Sequence, residues 1–198
     1  MPDRDRRTFL QQSALVGVGA LGAGAVGAHA VPAAASAARI LVQGGPEQRI
    51  RDLGITLPEP GRPFATLVPT VISGNLLFTS GTGPRGEDGR PVTGKVGADV
   101  TPEIAKAAAR GCGLSVLANV RAALGTLDRV ARLVKTLGMV NSAPDFTGQS
   151  NVINGFSELM IEVFGEQNGK GARSAVGMAS LPGGWCLEIE AIFEIRGG

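Results

Sequence analysis

The 198-residue chain has no tyrosine and one histidine, His29. That histidine sits in an N-terminal stretch that reads as a removable leader, so the mature chain lacks imidazole as well as phenol. Ser-His-Asp and Cys-His catalysis and any His-ligated metal are thereby excluded, which leaves carboxylates, Arg, Lys, hydroxyls and backbone groups to do chemistry. Cysteine is scarce too, with only Cys112 and Cys186 and no metal-ligand spacing between them. An exported compartment permits a disulfide, but folding before export favours two packed thiols. No cofactor is expected. Aromatic residues make up 4% of the chain, and the formal net charge of +2 forms no basic stripe. With few rings to stack bases and few cations to track phosphates, nucleic acid is not an expected partner.

The leader carries its own message. Arg6-Arg7-Thr8-Phe9-Leu10 is a twin-arginine start, followed by a Gly/Ala-rich, mildly apolar stretch with small-residue cleavage sites at Ala28-His29-Ala30 and Ala35-Ser36-Ala37. An uncleaved anchor or a disordered tail are the other readings. The glycines and the break at Pro32 count against a stable spanning helix, so residues 1–38 are read as a signal for export to the periplasm or beyond. The membrane is then met only during export. Losing three arginines and two aspartates with the signal leaves a mature charge of about +1.

The remainder suits one domain with a real core. Residues 39–63 read as a lead-in: a short helix from Glu47 to Leu53 stopped by Gly54, then a linker stiffened by Pro58, Pro60 and Pro63. Strands are expected near Phe64 to Ile72 and over Leu76 to Ser80. The loop from Gly81 to Gly89 lacks the Gly-Lys-Ser/Thr ending of a phosphate-binding loop and reads as turns. Thr101 and Pro102 cap and start a helix running to Leu124, where Gly125 stops it. A strand from Val130 to Val140 follows. Val152, Phe156, Leu159, Met160 and Val163 then mark the buried stripe of a second helix ending at Gly165. With two closing strands, the order is strand-strand-helix-strand-helix-strand-strand, an α+β domain with both helices on one face of a mixed sheet.

The closing run from Ala172 to Ile195 holds the candidate site. Two alternating segments flank Leu181-Pro182-Gly183-Gly184, which reads as a hairpin. Trp185, Leu187, Ile189, Ala191, Phe193 and Ile195 share the apolar parity of the last strand, and Cys186, Glu188, Glu190, Ile192 and Glu194 share the other. A hairpin pairing Ser180 with Trp185 sets Gly177 opposite Glu188, and Arg173 lies on the face of Glu188 roughly 13 Å further along. A ligand or a neighbouring chain filling that gap is one reading; a solvated strand face is the other.

Arg173-Ser174-Ala175-Val176, then Leu181-Pro182, then Glu188-Ile189-Glu190-Ala191-Ile192 resembles the closing signature of the Rid family (YjgF-like, reactive intermediate deaminases). Gly74-Asn75-Leu76-Leu77-Phe78-Thr79-Ser80-Gly81 is similar to the family's second strand and the Ser-Gly that closes it. The resemblance covers about Phe64 to Ile195 and makes residues 64–198 a YjgF-like domain. It implies a chorismate-mutase-like fold, a homotrimer and ligand clefts between subunits. It also implies hydrolysis of reactive imines and enamines to 2-oxo acids and ammonia.

By position, Arg173 matches the arginine that holds the substrate carboxylate, and Glu188 the carboxylate that orients or deprotonates the attacking water. Ser80, Gly81 and Asn154 match positions lining the cleft; Asn154 also reads as a plain helix-surface or turn amide. Two departures bear on substrate: Leu67 stands near the family's first-strand tyrosine, and Ala175 where its deaminases carry a cysteine. The cleft is expected to be larger or less polar. A non-catalytic trimeric module that binds small carboxylates is the alternative function, and a ribonuclease, lacking a histidine and a basic stripe, is the least supported.

Overall fold

The computed structural model describes residues 44–86 and 88–197; the expected signal lies outside them. The first element is the short helix α1 (Pro46–Asp52). It is docked rather than tethered: Ile50 is buried in the core, and the Glu47 carboxylate takes both Arg121 Nε (3.0 Å) and Nη2 (2.6 Å) and accepts from the Leu127 N–H (2.9 Å).

Strand β1 (Thr70–Ser73) pairs antiparallel with β2 (Leu76–Thr79). β1 starts later than the expected Phe64 because Phe64 and Leu67 close a turn on each other through two backbone hydrogen bonds, with Ala65 at φ 50°. Pro69, which has no N–H, then separates that turn from the ladder. Helix α2 (Pro102–Leu124) has the predicted ends: Thr101 accepts from the Ile104 N–H, and Gly125 takes the left-handed conformation. β3 (Val130–Asn141) leads to α3 (Gln149–Gly169), whose helical path breaks at Gly165 (φ 81°), one turn short of its end. Arg49 of α1 occupies the space a side chain at Gly165 would need, its Nη1 2.6 Å from the Cβ position.

β4 (Ala172–Met178) and β5 (Leu187–Ile195) complete a five-stranded mixed sheet of order β1-β2-β5-β3-β4. The two do not form the expected hairpin. β3 lies between them, parallel to β4 and antiparallel to β5. The reason is apolar content. Leu187, Ile189, Ala191, Phe193 and Ile195 are all buried, and a strand with such a face belongs at the sheet centre, between β2 and β3. β4, built largely from Ala, Ser and Gly, has little to bury and takes the edge. Trp185 also departs from the expected core stripe: it lies before β5, on the turn Pro182–Gly184, and is only half-buried.

Both long helices cover one face of the sheet, with Phe156, Leu117, Leu159, Met160 and Ile153 buried against β5 and β3. They pack closely through Gly113, whose Cβ position is 2.8 Å from Leu159 Cδ2, and are bridged outside by Lys106–Glu158 (2.8 Å) and a bidentate Arg110–Glu162 pair (3.1 and 2.7 Å). Cys112 and Cys186 are buried free thiols, as read from the sequence. Among the described residues no helix is long and apolar enough to cross a membrane.

Candidate functional site

Register decides where the candidates point. Arg173 stands opposite Thr136, which stands opposite Ala191, and both are buried on the helix side. Glu188 stands opposite Met139, on the uncovered side. The expectation that Arg173 and Glu188 share a face is therefore overturned: inserting β3 between their strands replaced the hairpin register on which it rested. Within one chain they are about three residues apart along β3 and two strands apart across it, roughly 10 Å in each direction, and on opposite faces.

Each is nonetheless held in a built environment. Arg173 Nη1 donates to Asn154 Oδ1 (2.8 Å) and Ser157 Oγ (3.1 Å), which lie one turn apart on α3. Both acceptors are neutral, and among the described residues Arg173 has no ion pair and no partner for Nε or Nη2. The other cations nearby are committed, Lys170 to Glu166 and Lys106 to Glu158. A cleft of about 350 Å3 opens here between α3 and β4, lined by Thr136, Asn154, Ser157, Lys170 and Arg173. The free edge of the guanidinium is thus available for the two parallel hydrogen bonds a carboxylate accepts.

Glu188 is half-buried, and burial first, then the charge of Glu190, raises its pKa above the ordinary carboxylate value. A protonatable group of raised proton affinity is suited to take a proton from water. Gly81 packs directly on it: a Cβ there would lie 2.8 Å from Glu188 Cδ and closer still to Oε1. Ser80 has a structural task, its Oγ donating to Val68 O (2.6 Å) while its N–H bonds Pro69 O (2.9 Å). The candidates therefore form two groups, Arg173 with Asn154 and Glu188 with Ser80 and Gly81. Ala175 lies two residues beyond Arg173, packed on the core, and Leu67 is half exposed at the other end of the sheet. Ser157 was missed by sequence reasoning; its spacing of three from Asn154 on a helix facing an arginine strand was the signal. Among the described residues no group of three or more His, Cys, Asp or Glu side chains is placed to hold a metal.

The family model described as "YjgF/chorismate_mutase-like, putative endoribonuclease" matches residues 47–186. The chain belongs to the YjgF/chorismate-mutase-like family. The match takes in α1 and both long helices and ends just before β5, so Arg173 lies within it and Glu188 two residues beyond. Protein TCP17 of Trypanosoma cruzi is 44% identical over 157 residues, 79% of this chain and 98% of its own. A crystal structure from Agrobacterium tumefaciens, Atu1372, "with unknown function", is 48% identical with a TM-score of 0.68, over 76% of this chain and 94% of that one. Another, named a "putative endoribonuclease" from Shewanella oneidensis MR-1, is 27% identical with a TM-score of 0.71, over 77% and 100%. The two solved structures share the fold of this chain across nearly their whole length.

Proposed function

We propose that this protein is a Rid-type deaminase that hydrolyses imines and enamines derived from amino acids to 2-oxo acids and ammonia. It works as a homotrimer, in the cell envelope to which a twin-arginine signal directs it. The observation that carries the reading is the arginine fork: Arg173 is oriented by Asn154 and Ser157 through Nη1 alone, with Nε and Nη2 unspent among the described residues. Arg173 binds the substrate carboxylate of the imino acid. Glu188 of a neighbouring subunit takes a proton from water as the water oxygen bonds to the imine carbon, and the C=N electron pair moves to nitrogen, which is protonated. The carbinolamine then collapses, the C–N bond breaks, and ammonia leaves as the carbonyl forms. Because an imine carbon is already electrophilic, positioning water beside it supplies much of the acceleration needed.

The separation of Arg173 from Glu188 within one chain favours assembly from two subunits. It also supports a second reading, a trimeric module that binds small carboxylates without turnover. The test is 2-oxo acid release from imino acids generated in place by an amino acid oxidase. Release above the spontaneous rate that falls at least tenfold in both Arg173→Ala and Glu188→Gln is expected of the deaminase. Ligand affinity lost in Arg173→Ala with no turnover in the wild type leaves the binding module. RNA cleavage unaffected by Glu188→Gln belongs to neither.

A further inference from the structure

The uncovered side of β5 carries Glu188, Glu190 and Glu194, and the three carboxylates are not alike. Glu194, near the end of the strand, accepts from Asn75 Nδ2 (3.3 Å). Glu188 is half-buried, with Gly81 packed on it. Glu190, between them, is exposed. Among the described residues neither Glu188 nor Glu190 has a hydrogen bond or an ion pair. Strand alternation sends both side chains out of the same side of the sheet, from Cα positions roughly 7 Å apart.

The sheet register shows why no cation stands between them. On β3, Met139 lies opposite Glu188 and Leu137 opposite Glu190, so both direct neighbours are apolar. Lys135 lies opposite Ile192, which makes it a diagonal neighbour of Glu190 and brings that carboxylate within reach of a long side chain. It turns the other way: Lys135 Nζ donates to Ser174 Oγ (2.7 Å) on β4. Ser80, at the end of β2, spends its hydroxyl proton on Val68 O (2.6 Å). From the remaining elements, α2 brings the Cys112 thiol and the loop after β2 brings Arg85. Burial first, then Cys186 and Glu188, raise the Cys112 thiol, while Arg85 lowers it. Glu188 itself is raised by burial and then by Glu190. Two like charges on one face, with the adjacent ammonium tied elsewhere, favour keeping the proton on the more buried of the two.

We propose that Glu190 is a positioning residue for the Glu188 base: its unpaired carboxylate sets the pH at which Glu188 gives up its proton, and Ser174 preserves that charge by drawing Lys135 away. An ammonium paired with Glu190 would cancel the charge and leave Glu188 a weaker base. A base that holds its proton more tightly is the more effective one once ionised. The consequence for turnover rests on the deaminase reading; the coupling of the two carboxylates does not.

Two readouts test it together. The Glu188 carboxylate is titrated by carbon NMR in glutamate-labelled protein, its signal assigned by its loss in Glu188→Gln, and imine hydrolysis is followed over the same pH range. Removing the neighbouring negative charge lets Glu188 ionise earlier. In Glu190→Gln the titration and the acid limb of turnover are therefore both expected at lower pH, with turnover at the acid end at least twofold above the wild type and a plateau no higher. Ser174→Ala frees Lys135 to pair with Glu190 and should move both in the same direction. Because it leaves Glu190 in place, it keeps the test open should Glu190→Gln alter folding or assembly. Glu190→Asp retains the charge and should keep the wild-type profile. The proposal is overturned by a Glu188 titration unmoved in Glu190→Gln, by one that Ser174→Ala leaves unmoved or shifts to higher pH, or by a shift in Glu190→Asp as large as that in Glu190→Gln. A titration that moves as expected in a protein whose wild type hydrolyses no imine would uphold the coupling and overturn the deaminase reading.

Discussion

Glu188 holds its proton more tightly in the fold than in the unfolded chain, and burial is the larger cause. Since the folded-state pKa is the raised one, the associated stabilisation is complete below the ordinary carboxylate pKa of about 4 and disappears as pH rises through the raised value. Glu188→Gln stays neutral throughout. Thermal melts of the two proteins should therefore nearly coincide at about pH 4, and the variant should be the more stable at about pH 8. A difference of the opposite sign would mean that the ionised carboxylate has a stabilising partner. On the proposed function, in which Glu188 acts as the base, turnover should rise with pH across the same interval. The residue types of the site were legible in the sequence, because Arg173, Glu188 and Asn154 sit in recognisable runs. The bond from Arg173 to Ser157 was not, because it joins β4 to α3 across the sheet face.

Among the elements, α2 was read most completely, since Thr101, Pro102 and Gly125 encode its ends locally. What the two helices require of each other is less visible. Gly155 of α3 is buried against the backbone of α2, its Cβ position 3.0 Å from Lys106 C, nearer still to Lys106 O, and 3.2 Å from Arg110 N. Backbone cannot move aside as a side-chain tip can. Gly155→Ala, neutral or favourable by helix propensity alone, is therefore expected to destabilise the protein by about 1–3 kcal/mol through forced separation of the helices. A urea midpoint unchanged from the wild type would show that the helices slide apart at no cost. The hairpin misreading belongs to this scale. Leu181-Pro182-Gly183-Gly184 is a turn, as its composition says, but a turn does not name the strand on its far side. Burial of the β5 face between β2 and β3 decided the pairing.

At the scale of the whole molecule, the sheet face opposite the helices is the unfinished surface. Val71, Phe78 and Ile192 form a cross-strand row there, with Val71 54% and Phe78 38% exposed, and Val176 on β4 is 37% exposed. An apolar row of this kind beside Glu188 is a natural interface between copies of the chain. On the proposed function, light scattering should give the mass of three chains. Phe78→Lys, at an exposed position, should yield folded monomers that lose imine hydrolysis, since Arg173 and Glu188 no longer meet. A monomeric wild type with full turnover would rule out the shared site.

By itself the sequence determined the order of the elements, the ends of α2, the helix-covered face of β5 and the identity of the charged candidates, because caps, periodicity and turn residues act over a few neighbours. Only the tertiary structure decided which strands pair, that Arg173 and Glu188 face opposite ways, and that Asn154 and Ser157 meet Arg173. Those outcomes depend on which surfaces bury the most apolar area together, a competition among residues as far apart in sequence as Leu77 and Phe193 that no local pattern records.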